Sequence, residues 1–170
     1  MGALPSGATP YDRSWTRNEG ADTLGKAYAF DGPALELGAL VLDGEAHPAA
    51  RIRVPLSMLN RHGLVAGATG TGKTRTLQVL AEQLSASGVP VFAADIKGDL
   101  SGVSTAGTEN PRLRERTDGI GQHWTGASFP TEYFALGGVG TGVPVRATVS
   151  GFGPLLLSKV LGLNGTQESS

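Results

Sequence analysis

The sequence contains no cysteine. A disulfide scaffold, a thiolate metal site and a cysteine nucleophile are therefore excluded. Aromatic residues make up only 6% of the chain and charged residues 17%; 14 Lys and Arg against 15 Asp and Glu leave a net charge of -1. That balance gives no whole-chain electrostatic footprint for nucleic acid, although a local basic patch is compatible with it. No apolar run approaches the roughly 20 residues that a membrane helix needs, so no membrane association is expected. Met1 to Thr9 has no basic segment followed by an apolar core, so no secretory signal is expected and a cytoplasmic protein is the simplest reading. The three histidines, His47, His62 and His123, are widely spaced and suggest no metal cluster.

Glycine is abundant, at 26 residues, with 10 prolines besides. No collagen-like period organises them, so they read as turns and loops. A length of 170 residues suffices for one ordinary domain with its own core, and no internal repeat is present.

Residues 1–25 mix Gly, Pro, Ser, Thr and charges without hydrophobic period and read as a flexible lead-in. Ala34 to Leu42 is an apolar run stopped by the turn signal Asp43-Gly44, and Arg51 to Leu56 alternates, with Arg51 and Arg53 on one side and Ile52 and Val54 on the other. Pro55 restricts the second run to an edge or an end. Residues 26–60 thus read as a small β-element, with residues 61–170 as a separate α/β domain. In that domain, His62 to Ala66 is a short apolar strand and Lys73 to Ser87 a helix. Leu77, Leu80, Ala81 and Leu84 form its buried stripe, and Gly88 stops it. Val89 to Ala94 is a second buried strand. Strand, helix and strand make a βαβ unit, which implies a parallel sheet. Residues 98–108 form a polar loop. Asn110 caps a helix with Pro111 at its first position, ended by Gly119 and Gly121. Glu132 to Leu136 and Val143 to Val149 read as strands, Leu155 to Leu161 as an apolar helix opened by Gly153-Pro154, and Thr166 to Ser169 as the start of another helix.

Between the first strand and helix of the βαβ unit lies Gly67-Ala68-Thr69-Gly70-Thr71-Gly72-Lys73-Thr74, a full match to G-x-x-x-x-G-K-[ST]. The chemistry requires these residue types. Glycines let the backbone curl so that successive N–H groups point at phosphate oxygens. Lys73 brings a compact positive charge to the β- and γ-phosphates, Thr74 offers a hydroxyl to Mg²⁺, and the helix N-terminus favours a bound anion. A chance match in a chain of this length has a probability on the order of one in a hundred, and the strand-to-helix context lowers it further. The span expected to hold ATP with magnesium is Gly67 to Thr74, with Arg75 following on the helix, and Thr74 is the expected magnesium ligand.

Other residues are weighed against plainer roles. Asp95, at the end of an apolar strand, resembles a magnesium-side acid. It lies on the strand directly after the helix, however, and Asp95-Ile-Lys-Gly-Asp99 reads more readily as a turn, with Lys97 as its charged member. Arg112 and Arg116 share a helix face while Arg114 points elsewhere; Glu115 and Asp118 dilute them, so a solvated face outweighs a polyanion site. Arg51, Arg53 and Arg61 read as surface, His62 as a strand-entry residue, and Trp124 and Phe134 as packing residues before base-stacking ones.

Three ordered blocks carry a more specific signal: Leu59-Asn-Arg-His-Gly-Leu-Val-Ala-Gly-Ala-Thr-Gly-Thr-Gly-Lys-Thr74, Gly88-Val-Pro-Val-Phe-Ala-Ala-Asp-Ile-Lys-Gly-Asp-Leu-Ser-Gly102 and Gly153-Pro-Leu-Leu-Leu-Ser-Lys-Val-Leu-Gly-Leu-Asn-Gly-Thr-Gln-Glu168. With them the sequence from about Leu35 to Glu168 resembles the HerA-like helicase family, within the HerA/FtsK group of P-loop ATPases, and most closely its YjgR-type branch. The resemblance implies a RecA-like α/β fold with flanking helices, ATP as nucleotide, and DNA pumped or unwound by hexameric rings; for this branch DNA translocation is an analogy. Family members run to several hundred residues. The acidic second motif, catalytic glutamate, sensor and arginine finger are therefore expected beyond Ser170, the sheet is expected to be incomplete, and an N-terminal fragment is favoured over a truncated gene product. Catalytic residues stay unassigned. Three functions remain open: an ATPase motor part acting on DNA, a nucleotide-binding module without hydrolysis of its own, and a small P-loop kinase with Asp95 near its acceptor.

Overall fold

The computed structural model describes residues 17–164. The expected lead-in up to residue 16 and the expected helix start at Thr166 lie outside the described residues. The chain divides into two units, residues 1–130 and 131–170.

In the first unit, helix α1 (Arg17–Ala27) occupies positions 17–25, which the sequence suggests are part of the lead-in. Tertiary packing supplies what periodicity does not: Ala21 is buried, and Gly25 lies so close to Ala50 that an added Cβ would sit 3.4 Å from its Cα. Strands β1 (Ala34–Leu42) and β2 (Glu45–Pro55) form an antiparallel hairpin. Its turn is Asp43-Gly44, both at positive φ (51° and 83°), the twist that a two-residue hairpin favours. The second strand starts six residues earlier than its alternation suggests, at Glu45 rather than Arg51. The difference is an irregularity: Ala39 pairs with Arg51 and Leu40 with His47, so residues 48–50 bulge out of register. Pro48, which has no N–H for a ladder, sits in that bulge.

Helix α2 (Lys73–Ala86) and helix α3 (Pro111–Gly119) fall where the sequence puts them. The α2 stop is a glycine-terminated turn in which Val89 N–H reaches Leu84 O at 2.9 Å. The α3 start is capped by Asn110, whose side chain accepts from Leu113 N–H at 3.0 Å.

The buried face of α2 differs from the expected stripe. Leu77 is exposed, Leu80, Ala81 and Leu84 are only half-buried, and the buried residue is Gln78, at 6%. The cause lies in the neighbouring segments. Residues 62–66 and 89–94, expected as the two strands of a parallel βαβ unit, have no regular secondary structure and join no ladder among the described residues. Leu64 is 89% exposed and Phe92 90%. Without a paired sheet beneath it, the apolar side of α2 has little to pack against, and its attachment is polar. Gln83 Nε2 donates to Glu36 O at 2.9 Å, and Gln83 Oε1 accepts from Glu36 N–H at 2.7 Å, tying α2 to β1. The Glu36 carboxylate in turn holds Arg53 Nε at 2.7 Å and Arg51 Nη2 at 3.4 Å across the hairpin. Arg51 Nη1 extends the chain to Ile120 O at 2.9 Å, at the end of α3.

The second unit holds β3 (Phe134–Leu136) and β4 (Val143–Val145), paired in parallel. The latter is shorter than the expected 143–149 because Thr148 turns the chain into a helix, accepting from Gly151 N–H at 3.0 Å. Helix α4 (Val149–Leu161) breaks at Gly153 (φ 72°, ψ 159°), and Pro154 opens its apolar part, as its fixed φ favours at a first helical position.

If Gln83 anchors α2 to β1, Gln83→Ala strands the Glu36 peptide groups. It is expected to lower unfolding stability by about 1–3 kcal/mol, read as a shift in the urea midpoint. Asn110→Ala, which removes only a cap, is expected to cost about 1 kcal/mol.

Candidate functional site

Residues 67–72 follow the irregular segment 62–66, turn and enter α2 at Lys73. Gly70 (φ 81°) and Gly72 (φ 96°) take left-handed backbone, which any side chain would strain. Gly67 is needed for another reason: a Cβ there would lie 2.6 Å from Thr71 Oγ1. It would displace the hydroxyl that donates to Ala68 O at 2.8 Å. Lys73 reaches back over the loop, its Nζ donating to the same Ala68 O at 2.7 Å. The loop is thus closed around one carbonyl, with a primary ammonium at its mouth.

The helix N-cap is Gly72, which has no side chain to cap α2, and the first intrahelical amide bond runs from Thr76 N–H to Gly72 O at 2.9 Å. The amides of Lys73, Thr74 and Arg75 precede that bond, at the end of the helix where partial positive charge accumulates. Gly67 to Thr71 are exposed; Gly72, Lys73 and Thr74 are half-buried; Arg75 is exposed. All nine expected site residues therefore lie on one loop and one helical turn. The set suits a magnesium polyphosphate: amides and an ammonium for oxygens, and the Thr74 hydroxyl for the metal.

Arg75 does not project freely. Its Nη1 donates to Gln78 Oε1 at 2.8 Å. Burial pushes the Glu82 carboxyl above its ordinary range, and the nearby Arg75 charge opposes that shift. Sequence reading missed Gln78, because a glutamine one turn into an amphipathic helix carries no motif.

Asp95 is the centre of a turn. Its Oδ1 accepts from Gly98 N–H at 2.8 Å and from Lys97 and Asp99 N–H at 3.2 Å each, and its Oδ2 accepts from Leu100 N–H at 2.8 Å. The Leu100 amide above all holds its carboxyl below the usual carboxylate range; desolvation opposes it, and the amides of Gly98, Lys97 and Asp99 add to the lowering. The turn reading of Asp95-Ile-Lys-Gly-Asp99 fits this geometry, and the Lys97 side chain shares the exposed loop.

The remaining candidates are structural. Arg51 and Arg53 are half-buried partners of Glu36. Arg53 also stacks 4.9 Å from the Phe30 ring centre. Arg114 pairs with Glu109 at 2.6 and 2.9 Å, which holds the Glu109 carboxyl low, while Arg112 and Arg116 are exposed. Trp124 is half-buried, its ring 3.2 Å from where a Gly107 Cβ would stand. It lines a shallow pocket of about 220 Å³ with Arg114, Thr117 and His123. Arg61 and His62 are exposed at the start of the irregular segment, and Phe134 is exposed in the second unit. Among the described residues no cluster of His, Asp and Glu could hold a metal ion, and no helix is long and apolar enough to cross a membrane.

The family model for the helicase HerA-like C-terminal domain matches residues 41–170. The chain belongs to the HerA-like helicase family. Neither a curated protein nor a solved structure matches it. The match runs through the glycine-rich loop, α2 and the Asp95 turn, so this site lies within the matched part of the chain.

The Asp95 turn has a definite pH sign. A carboxyl whose folded pKa is depressed adds stability that is present above its unfolded pKa of about 3.9 and is lost as pH falls through the lower folded value. The amides of Lys97 to Leu100 are expected to stay protected at neutral pH and to lose protection only below that range, as hydrogen exchange against pH measures. Asp95→Asn is expected to weaken that protection at neutral pH, and to reduce magnesium–ATP affinity far less than Lys73→Ala does.

Proposed function

We propose that this chain binds ATP with magnesium at Gly67 to Arg75 and is the ATP-binding portion of a HerA-like ATPase. The observation that supports this best is the loop closed on Ala68 O, with Lys73 at its mouth and the glycine-capped start of α2 behind it. On this reading Lys73 exchanges the Ala68 carbonyl for terminal phosphate oxygens. The amides of residues 70–75 receive the remaining phosphate charge, the Thr74 hydroxyl takes a magnesium position, and Arg75 lies beside the phosphates on the first turn. Bound magnesium supplies neutralisation of phosphate charge; the chain supplies position and hydrogen bonds.

The finer assignments belong to the same proposal. Residues 26–60 form a β-element before a nucleotide domain of RecA-like class that spans 61–170. The full-length protein falls in the YjgR-type branch, works in the cytoplasm and assembles as a hexamer, with DNA as a partner by analogy with the family. The engagement of Asp95 by four amides favours nucleotide binding without turnover by this chain over a kinase using Asp95 at its acceptor.

Titration of a fluorescent ATP analogue tests the site. Lys73→Ala and Thr74→Ala each remove a charge-assisted or metal contact worth about 1.5–3 kcal/mol, so affinity is expected to fall about tenfold or more. Equal affinity in wild type and both variants contradicts the proposal. Phosphate release tests turnover. A nucleotide cradle holds phosphates but does not by itself orient water or stabilise the transition state, so release by the 170-residue chain is expected to match a Lys73→Ala blank, with or without DNA. Robust release above that blank means that the water-orienting group lies within this chain.

A further inference from the structure

Gln78 is the buried residue of α2, and it is polar. Its carboxamide is used at both ends. Oε1 accepts from Arg75 Nη1 at 2.8 Å, and Nε2 donates to Asp99 O at 2.7 Å. The chemistry fixes the orientation of the amide, because a guanidinium can only donate and a carbonyl can only accept.

The Asp99 carbonyl belongs to the same peptide unit as the Leu100 amide. That N–H is held by Asp95 Oδ2 at 2.8 Å. One peptide plane is therefore gripped from both sides, by the turn's own carboxylate and by a side chain of α2. Gly102 passes so close that an added Cβ would lie 3.5 Å from Gln78 Nε2. Arg75, at the other end, directly follows Thr74 on the first turn of the helix. A continuous chain of hydrogen bonds thus runs from the glycine-rich loop's helix to a turn 21 residues beyond Gln78 in sequence. Partly buried bonds in sequence polarise one another.

We propose that Gln78 is a positioning residue that couples magnesium-nucleotide occupancy at Gly67 to Arg75 to order in the Asp95–Leu100 turn, through the chain Arg75–Gln78–Asp99. The inference rests on the nucleotide-binding reading above. A nucleotide that orders the first turn of α2 fixes Arg75, Arg75 fixes the Gln78 amide, and the amide fixes the Asp99–Leu100 peptide. By linkage, whatever holds the turn strengthens nucleotide binding by the same factor.

Two substitutions split the bridge. Gln78→Glu is isosteric and keeps an acceptor for Arg75, but it cannot donate to Asp99 O. Gln78→Lys keeps a donor for Asp99 O but repels Arg75. Amide hydrogen exchange over residues 95–104 is followed in the 170-residue chain with and without magnesium AMPPNP, alongside fluorescent-ATP titration and circular dichroism. In wild type the nucleotide is expected to slow exchange of the Lys97–Leu100 amides by at least about fivefold. Both variants are expected to bind the nucleotide, with affinity lowered by no more than the lost protection factor, and to show no nucleotide-dependent slowing. If Gln78→Lys does not fold, the isosteric Gln78→Glu decides. Slowing that survives in Gln78→Glu, or a wild type that binds nucleotide without any change in exchange, overturns the coupling while leaving the binding site intact. A wild type that binds no nucleotide overturns both.

Discussion

Two carboxamides on one helix tie α2 to β1 and to the Asp95 turn. Gln83 clamps both backbone groups of Glu36 on β1, and Gln78 clamps Arg75 and the Asp99 carbonyl. Helix α2 carries the lysine and threonine of the glycine-rich loop, so the position of that loop follows from these bonds. The Glu36 carboxylate passes the constraint to Arg51 and Arg53, and Arg51 passes it to the end of α3. A helix held by apolar area alone can slide over its neighbours; one held by directional bonds at two ends keeps its register.

This polar attachment accompanies a thin apolar core. Leu35, Ala21 and Ala50 are the buried hydrophobic residues of the described part of the first unit, while Leu64, Phe92 and Ile96 are almost fully exposed. Burial of apolar area is the dominant favourable term in folding. Irregular segments that leave such side chains in water expose apolar surface, which favours self-association.

Features governed by local chemistry were legible in the sequence. The Asp43-Gly44 turn, the Asn110-Pro111 helix start, the Gly88 stop and the extent of α2 all depend on a few adjacent residues, and the structure has them at those positions. The Asp95 turn was legible for the same reason: a carboxylate ahead of Lys97 and Gly98 has its partners within five residues. Features that depend on distant partners were not. Ala21 and Gly25 become helical against Ala50, which no period in residues 17–25 announces. The expected Leu77 stripe assumed a sheet beneath α2, and the observed helix instead turns Gln78 inward. The shortening of β4 turned on a single hydroxyl bond at Thr148. Within the candidate site, the glycines, Lys73, Thr74 and Arg75 were readable from spacing, whereas Gln78 was visible only once the Asp99 carbonyl stood opposite it.

The glycine-rich loop closes at the N-terminal end of α2, inside the span that the HerA-like family model matches. The most direct measurement is metal proximity. Mn²⁺ replaces Mg²⁺ with ATP and relaxes nearby nuclei, so amide resonances close to the metal broaden. The account predicts that amides of Gly70 to Arg75 broaden first on addition of Mn–ATP and that Lys73→Ala abolishes the effect. Broadening absent from that loop, or centred instead on the pocket lined by Arg114 and Trp124, contradicts it.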